Sequence, residues 1–259
     1  MSRKRAIDAR ESADPKFRHW KSRFKAATAA FEMGKLAEAR SAVYLSLMEA
    51  ESLPDRSFAV PVCHVGMAVI SMHQGNQKEA KEFFDKGINA LSHQSAADTS
   101  EVYAAGLRFF AIWHEQNGDL EEAERCLRES VSILQELGNE SAVQLAYSLS
   151  DLCYILVMRG QMEEAGTLIR SATEILAITV GEDDPSYDWA KIIYQVCLNK
   201  HDQEMLQEMF EDSMTVFQYK VGAKHPNLVR ALNAYAAALK KRGLTEKLEG
   251  LKKNFSALL

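Results

Sequence analysis

Apolar positions recur along this chain in paired stretches of helical spacing, each pair hinged on a glycine. Leu149, Leu152, Cys153, Leu156 and Val157 precede Gly160, and Ala165, Leu168, Ile169, Ala172 and Leu176 come after it. Steps of three and four residues predict two amphipathic helices, each with one stripe to bury. The same layout runs from Phe24 through Ala39 to Leu47, from Met67 through Phe84 to Leu91, and from Leu107 through Leu127 to Leu134. Gly34, Gly75, Gly118, Gly160 and Gly243 mark the period, with His201 in the one gap, and the successive steps are 41, 43, 42, 41 and 42 residues. A lone helical hairpin cannot bury its own stripe, so repetition at this spacing predicts a stack of hairpins.

The residues after each glycine are shared as well: Gly34-Lys-Leu-Ala-Glu-Ala39, Gly75-Asn-Gln-Lys-Glu-Ala80, Gly118-Asp-Leu-Glu-Glu-Ala123 and Gly160-Gln-Met-Glu-Glu-Ala165. Glutamates in a first turn meet the positive end of the helix dipole, and the alanine lets a neighbouring helix approach closely. In the fifth unit His201 and Leu206 stand where glycine and alanine are expected, and the sixth ends in a capping stripe of Leu248, Leu251, Phe255 and Leu258. A small residue lies midway along most first helices, at Ala27, Ala68, Ala111, Cys153 and Ala236. Tyr194 breaks that series, which predicts a splayed or specialised fifth unit.

These units resemble tetratricopeptide repeats, and their ~42-residue length, against ~34 for the common type, resembles the kinesin-light-chain variety. Two connectors carry the likeness further. Val180-Gly181-Glu-Asp-Asp-Pro185 and Val221-Gly222-Ala-Lys-His-Pro226 resemble that variety's linker of glycine, two variable residues, histidine and proline, with Asp184 in place of the histidine in the first. Glycine suits the end of one helix and proline the first turn of the next. The resemblance implies an all-α, right-handed superhelical solenoid of about six helix-turn-helix repeats. The expected organisation is a flexible basic segment over 1–17 and a single repeat domain over 18–259, with repeats at 18–55, 56–95, 96–138, 139–181, 182–222 and 223–259.

Composition fits that picture. Of the 259 residues 47% are hydrophobic, while five prolines leave little room for flexible linkers. No run of ~18 apolar residues and no secretory leader are apparent, which predicts a soluble, cytoplasmic protein without a membrane partner. Cys63, Cys126, Cys153 and Cys197 fall singly on different helices, as buried reduced thiols do. Charge is uneven: residues 1–25 carry nine Lys/Arg against three acids, residues 219–259 nine against two, and the stretch between thirteen against thirty-one. An acidic body between basic ends predicts solvated outer faces, with attraction of a charged partner or pairing between copies as the alternative. The short run Ser2-Arg-Lys-Arg5 does not make a nucleic-acid signal.

Motifs of catalysis are missing. His114-Glu115 begins like a metalloprotease helix, but Gly118 stands where the second histidine is needed. The chain has no nucleophile elbow, phosphate-binding loop or dinucleotide fingerprint. The pairs Glu121-Glu122 and Glu163-Glu164 sit on adjacent helical positions that diverge, and His64, His73 and His225 read as packing or helix-start residues. Neither an enzyme, a cofactor nor a metal is expected.

A surface remains. In repeats of this family the first helices line the concave face and meet a partner's peptide or helix, and the register carries that face onto Tyr147, Ser150, Tyr154, Lys191, Gln195, Arg230, Asn233, Ala237 and Lys240. Lys191 and Gln195 resemble two members of the family's carboxylate clamp, while Ala234 replaces the next. In earlier units the same face is apolar, with Val65, Val69, Met72 and Ile112, suited to a partner's helix or to the chain's own N-terminal segment. The expected function is a non-enzymatic scaffold or adaptor whose protein partner carries an acidic segment. A peptide-responsive regulator and a self-associating protein with apolar surface around Trp20 and Phe24 are the alternatives.

Overall fold

The computed structural model describes residues 14–54, 58–94, 97–198, 203–222 and 225–254. Within them lie twelve α-helices and one 3-10 turn, and no strand. The chain divides into two compact units, Met1–Asn117 and Gly118–Leu259.

Unit 1 holds α1 (Pro15–Glu32), α2 (Leu36–Glu51), α3 (Ala59–His73), α4 (Gln77–Ser92) and α5 (Ala97–Gln116). Each helix packs on its neighbours in sequence, and α3 also meets α1 and α5 directly. Phe17, Trp20, Val43, Val62, Cys63, Met67 and Ile70 form the core of the first two hairpins. Trp20 is 3% exposed and donates its indole N–H to the Cys63 sulfur at 3.2 Å, so the apolar surface expected around it is interior.

Unit 2 holds α6 (Leu120–Leu137), the 3-10 turn Gly138–Ser141, α7 (Ala142–Met158), α8 (Met162–Thr179), α9 (Pro185–Cys197), α10 (Gln203–Val221), α11 (Pro226–Lys241) and α12 (Thr245–Asn254). Its core includes Leu152, Ile155, Leu156, Ile169, Leu176, Ile192, Phe210 and Phe217. One stretch within Leu120–Met158 is apolar enough to cross a membrane by length and composition, and 67% of its most apolar window is buried inside the protein.

The repeated turns have one construction. Gly34, Gly75, Gly118, Gly160 and Gly243 all take φ between 72° and 82°, the left-handed region that a side chain disfavours. Around four of them the residue after the glycine donates to the carbonyl five residues back, as Lys35 does to Ala30 and Gln161 to Leu156, which satisfies carbonyls at the helix end. Ala39, Ala80, Ala123 and Ala165 are each 0% exposed, as close helix packing requires. His201, which fills the gap in the glycine series, lies outside the described residues, as do Phe255, Leu258 and residues 1–13.

Candidate functional site

In unit 1 the first helices of the hairpins enclose an apolar groove of about 250 Å3. Phe24, Thr28 and Phe31 on α1, Val65 and Val69 on α3, and Val102, Ala105 and Phe109 on α5 line it. Phe24, Phe31, Val102, Ala105 and Phe109 are half-buried, so the groove is reached from solvent. Met72 is buried and Ile112 half-buried. Gly66 and Gly106 keep the lining tight, because a Cβ on Gly66 would come within 3.1 Å of the Phe24 ring and one on Gly106 within 2.9 Å of Ile88. The Arg108 guanidinium lies 5.3 Å from the Phe109 ring centre, a positive charge at the groove's edge. The exposed His73 stands edge-on to Phe31 with its Nδ1 2.9 Å from the Val69 carbonyl, and burial, with Lys86 nearby, lowers the pKa of the half-buried His64 from its ordinary value.

The register-derived residues lie in unit 2, where α7, α9 and α11 pack against one another. Arg230 on α11 reaches Asp151 on α7 at 3.0 Å and also donates to Asn227 at 3.1 Å. Its guanidinium sits 4.3 Å from the Tyr154 ring centre and 5.0 Å from that of Trp189 on α9. Both partners are buried, with side-chain exposures of 11% and 3%, so this is a desolvated ion pair backed by cation–π contact. The structure thus brings Tyr154 and Arg230 together. Ser150 is buried and donates to the Ala146 carbonyl, and Gln195 is buried and donates to Ser213 on α10 at 3.0 Å. Tyr147, Asn233 and Ala237 are half-buried, while Lys191 and Lys240 are exposed. Tyr194 is half-buried beside Cys197 in an open trench along α8.

Sequence reasoning missed how α11 is anchored. Lys241 donates to the Gly160 carbonyl, and Arg242 donates to the carbonyls of Val196 and Leu198 at 2.8 Å. Cations here meet the negative ends of α7 and α9. The signal was present in the basic balance of residues 219–259.

The described residues of the two connectors share one geometry. Gly181 and Gly222 have φ of 88° and 86°. Asp184 and His225 both take the extended conformation before proline, and each side chain accepts from the backbone N–H two residues on, at 2.8 Å from Ser186 and 3.2 Å from Asn227. Asp14, before Pro15, does the same for α1.

Similarity among solved structures agrees with this geometry. A Podosopora anserina protein of nearly identical TPR-like repeats, assigned to the kinesin light chains, is 18% identical, with 79% of this chain and 98% of that one covered and a TM-score of 0.57. The fold is that of tetratricopeptide-like repeats. BtubC (BKLC) from P. vanneervenii is 16% identical over 86% of this chain and 90% of its own, at a TM-score of 0.56. Pseudomonas aeruginosa pilF is 13% identical over 95% and 94%, also at 0.56. No family model matches the chain, and no curated protein matches it in sequence. At these identities the likeness describes the fold alone.

Proposed function

We propose that this chain is a non-enzymatic interaction module of the cytoplasm, a scaffold or adaptor whose apolar groove on α1, α3 and α5 takes a peptide or helix of a partner protein. One observation carries the reading: three aromatic side chains, Phe24, Phe31 and Phe109, converge on a concave surface and stay half exposed there. Exposed apolar concavities of this kind mark recognition sites, because a ligand gains by removing them from water. Basic residues lie along α1, with Lys16, Arg18 and Lys25 exposed, and favour a ligand that carries acidic groups beside its apolar ones. In unit 2 the exposed Lys191 and Lys240 are the register-derived residues that a ligand would meet first. The ~42-residue period and the paired connectors support the kinesin-light-chain variety of repeat.

Ala105→Trp tests the groove by filling it from a half-exposed position. Captured from native lysate, a partner held by the wild-type chain is expected to be lost from the variant while helical circular dichroism is unchanged. Equal recovery by both proteins would refute the assignment.

A further inference from the structure

The fifth unit departs furthest from the repeat pattern, with Tyr194 in the small-residue position and Leu206 in place of the alanine. Its first helix, α9, has 13 residues against 17 in α7 and 16 in α11. At its end Leu198 turns extended, with φ −64° and ψ 123°, whereas α7 and α11 run through helical C-caps, Arg159 and Arg242, into a glycine of positive φ. Past the short helix, the end of α11 reaches the turn after α7, where Lys241 donates to the Gly160 carbonyl.

A cleft opens at this place. One part, of about 510 Å3, has Gly160, Glu163 and Glu164 on one side and Cys197, Lys241 and Arg242 on the other. It shares Met162, Glu163 and Cys197 with the trench along α8, of about 480 Å3, where Thr167, Arg170 and Tyr194 stand. Cavities of this size hold small organic molecules.

The cations of the cleft are only partly engaged. Arg242 commits Nη2 to the carbonyls of Val196 and Leu198, while its Nη1 is shielded from solvent and has no hydrogen-bond partner among the described residues. A guanidinium nitrogen cut off from water and left unpaired is costly, and an oxyanion is its strongest partner. Lys241 is exposed and has further N–H groups to give beyond the one on Gly160. Of the two glutamates, Glu164 is held by Arg128 at 2.8 Å, and Glu163 stays exposed and opposes a bound anion. Lys241, Arg242 and, in the trench, Arg170 outnumber it.

We infer that this cleft binds a small organic anion, its carboxylate or phosphate group on Arg242 and Lys241 and its apolar body along Met162, Cys197 and Tyr194. The groove on α1, α3 and α5 takes no part in this site.

Amide NMR spectra of the full chain, titrated with inorganic phosphate, with benzoate and with uncharged benzamide, test the inference. Phosphate and benzoate are expected to shift the resonances of Gly160, Glu163 and Arg242, benzoate to move Tyr194 as well, and benzamide to move none of them. The anion that saturates at the lower concentration identifies the headgroup. Lys241→Met should weaken that anion about tenfold, as the loss of one charge-assisted hydrogen bond does, and Glu163→Gln should tighten it by removing a like charge. Arg242→Gln should abolish the shifts; if circular dichroism shows that this variant has lost helix, Lys241→Met decides. Resonances unmoved by either anion at tens of millimolar would overturn the inference and leave Nη1 to a water molecule. A response to benzamide equal to that of benzoate, or an affinity unchanged in Lys241→Met, would overturn it too.

Discussion

Asp184 departs from the histidine of the linker it resembles, and the structure explains why the change is tolerated. The residue before the proline must be extended and must offer an acceptor to the N–H two positions on, which a carboxylate oxygen does as well as the imidazole Nδ1 of His225. Asp14-Pro15 meets the same requirement and starts α1 at Pro15, inside the segment 1–17 grouped by sequence with the basic N-terminus. A cap-and-proline rule, rather than a match to one amino acid, would have found all three helix starts. Asp184→Ala removes the acceptor and should cost about 1 kcal/mol, read as a lower urea midpoint, while Asp184→Asn should retain most of the stability. An unchanged midpoint in the alanine variant would show that the cap contributes nothing.

At the scale of elements, hairpins and their turns were legible because glycine at positive φ and a buried alanine five residues later leave a periodic trace. The packing of α11 on both α7 and α9 was not, since register assigns a residue to a helix face without saying which helix will lie opposite. Arg230 illustrates the difference: its position predicts a groove residue, and in the structure it is committed to Asp151, Tyr154 and Trp189. Removing one partner of a buried ion pair strands the other charge away from water. Arg230→Ala should therefore cost about 3–5 kcal/mol in urea unfolding, whereas the double change Asp151→Leu/Arg230→Met should recover much of the loss. A cost well under 1 kcal/mol would mean that Asp151 finds water or another donor when the arginine is gone.

For the molecule as a whole, charge and cysteine placement were readable as patterns before their reasons were. The basic C-terminal segment finds part of its reason inside unit 2, where Arg230, Lys241 and Arg242 bind a carboxylate and carbonyl groups at helix ends. Cys63, Cys126 and Cys153 are buried as expected, whereas Cys197 is half-buried; desolvation raises the thiol pKa of Cys63 to about 12, of Cys126 to about 11 and of Cys197 to about 12, and that of Cys153 well above its ordinary value. Because the thiolate is the reactive species, a pKa near 12 leaves roughly one thiol in ten thousand ionised at pH 8. A thiol reagent at that pH should label the native protein slowly at all four positions. Cys63 reports on unit 1 and Cys126, Cys153 and Cys197 on unit 2, so in a urea titration each should become reactive as its own unit loses helical circular dichroism. Fast labelling of Cys63, Cys126 or Cys153 in the native protein, mapped by peptide mass, would place that thiol at the surface and contradict the packing of the helix that carries it.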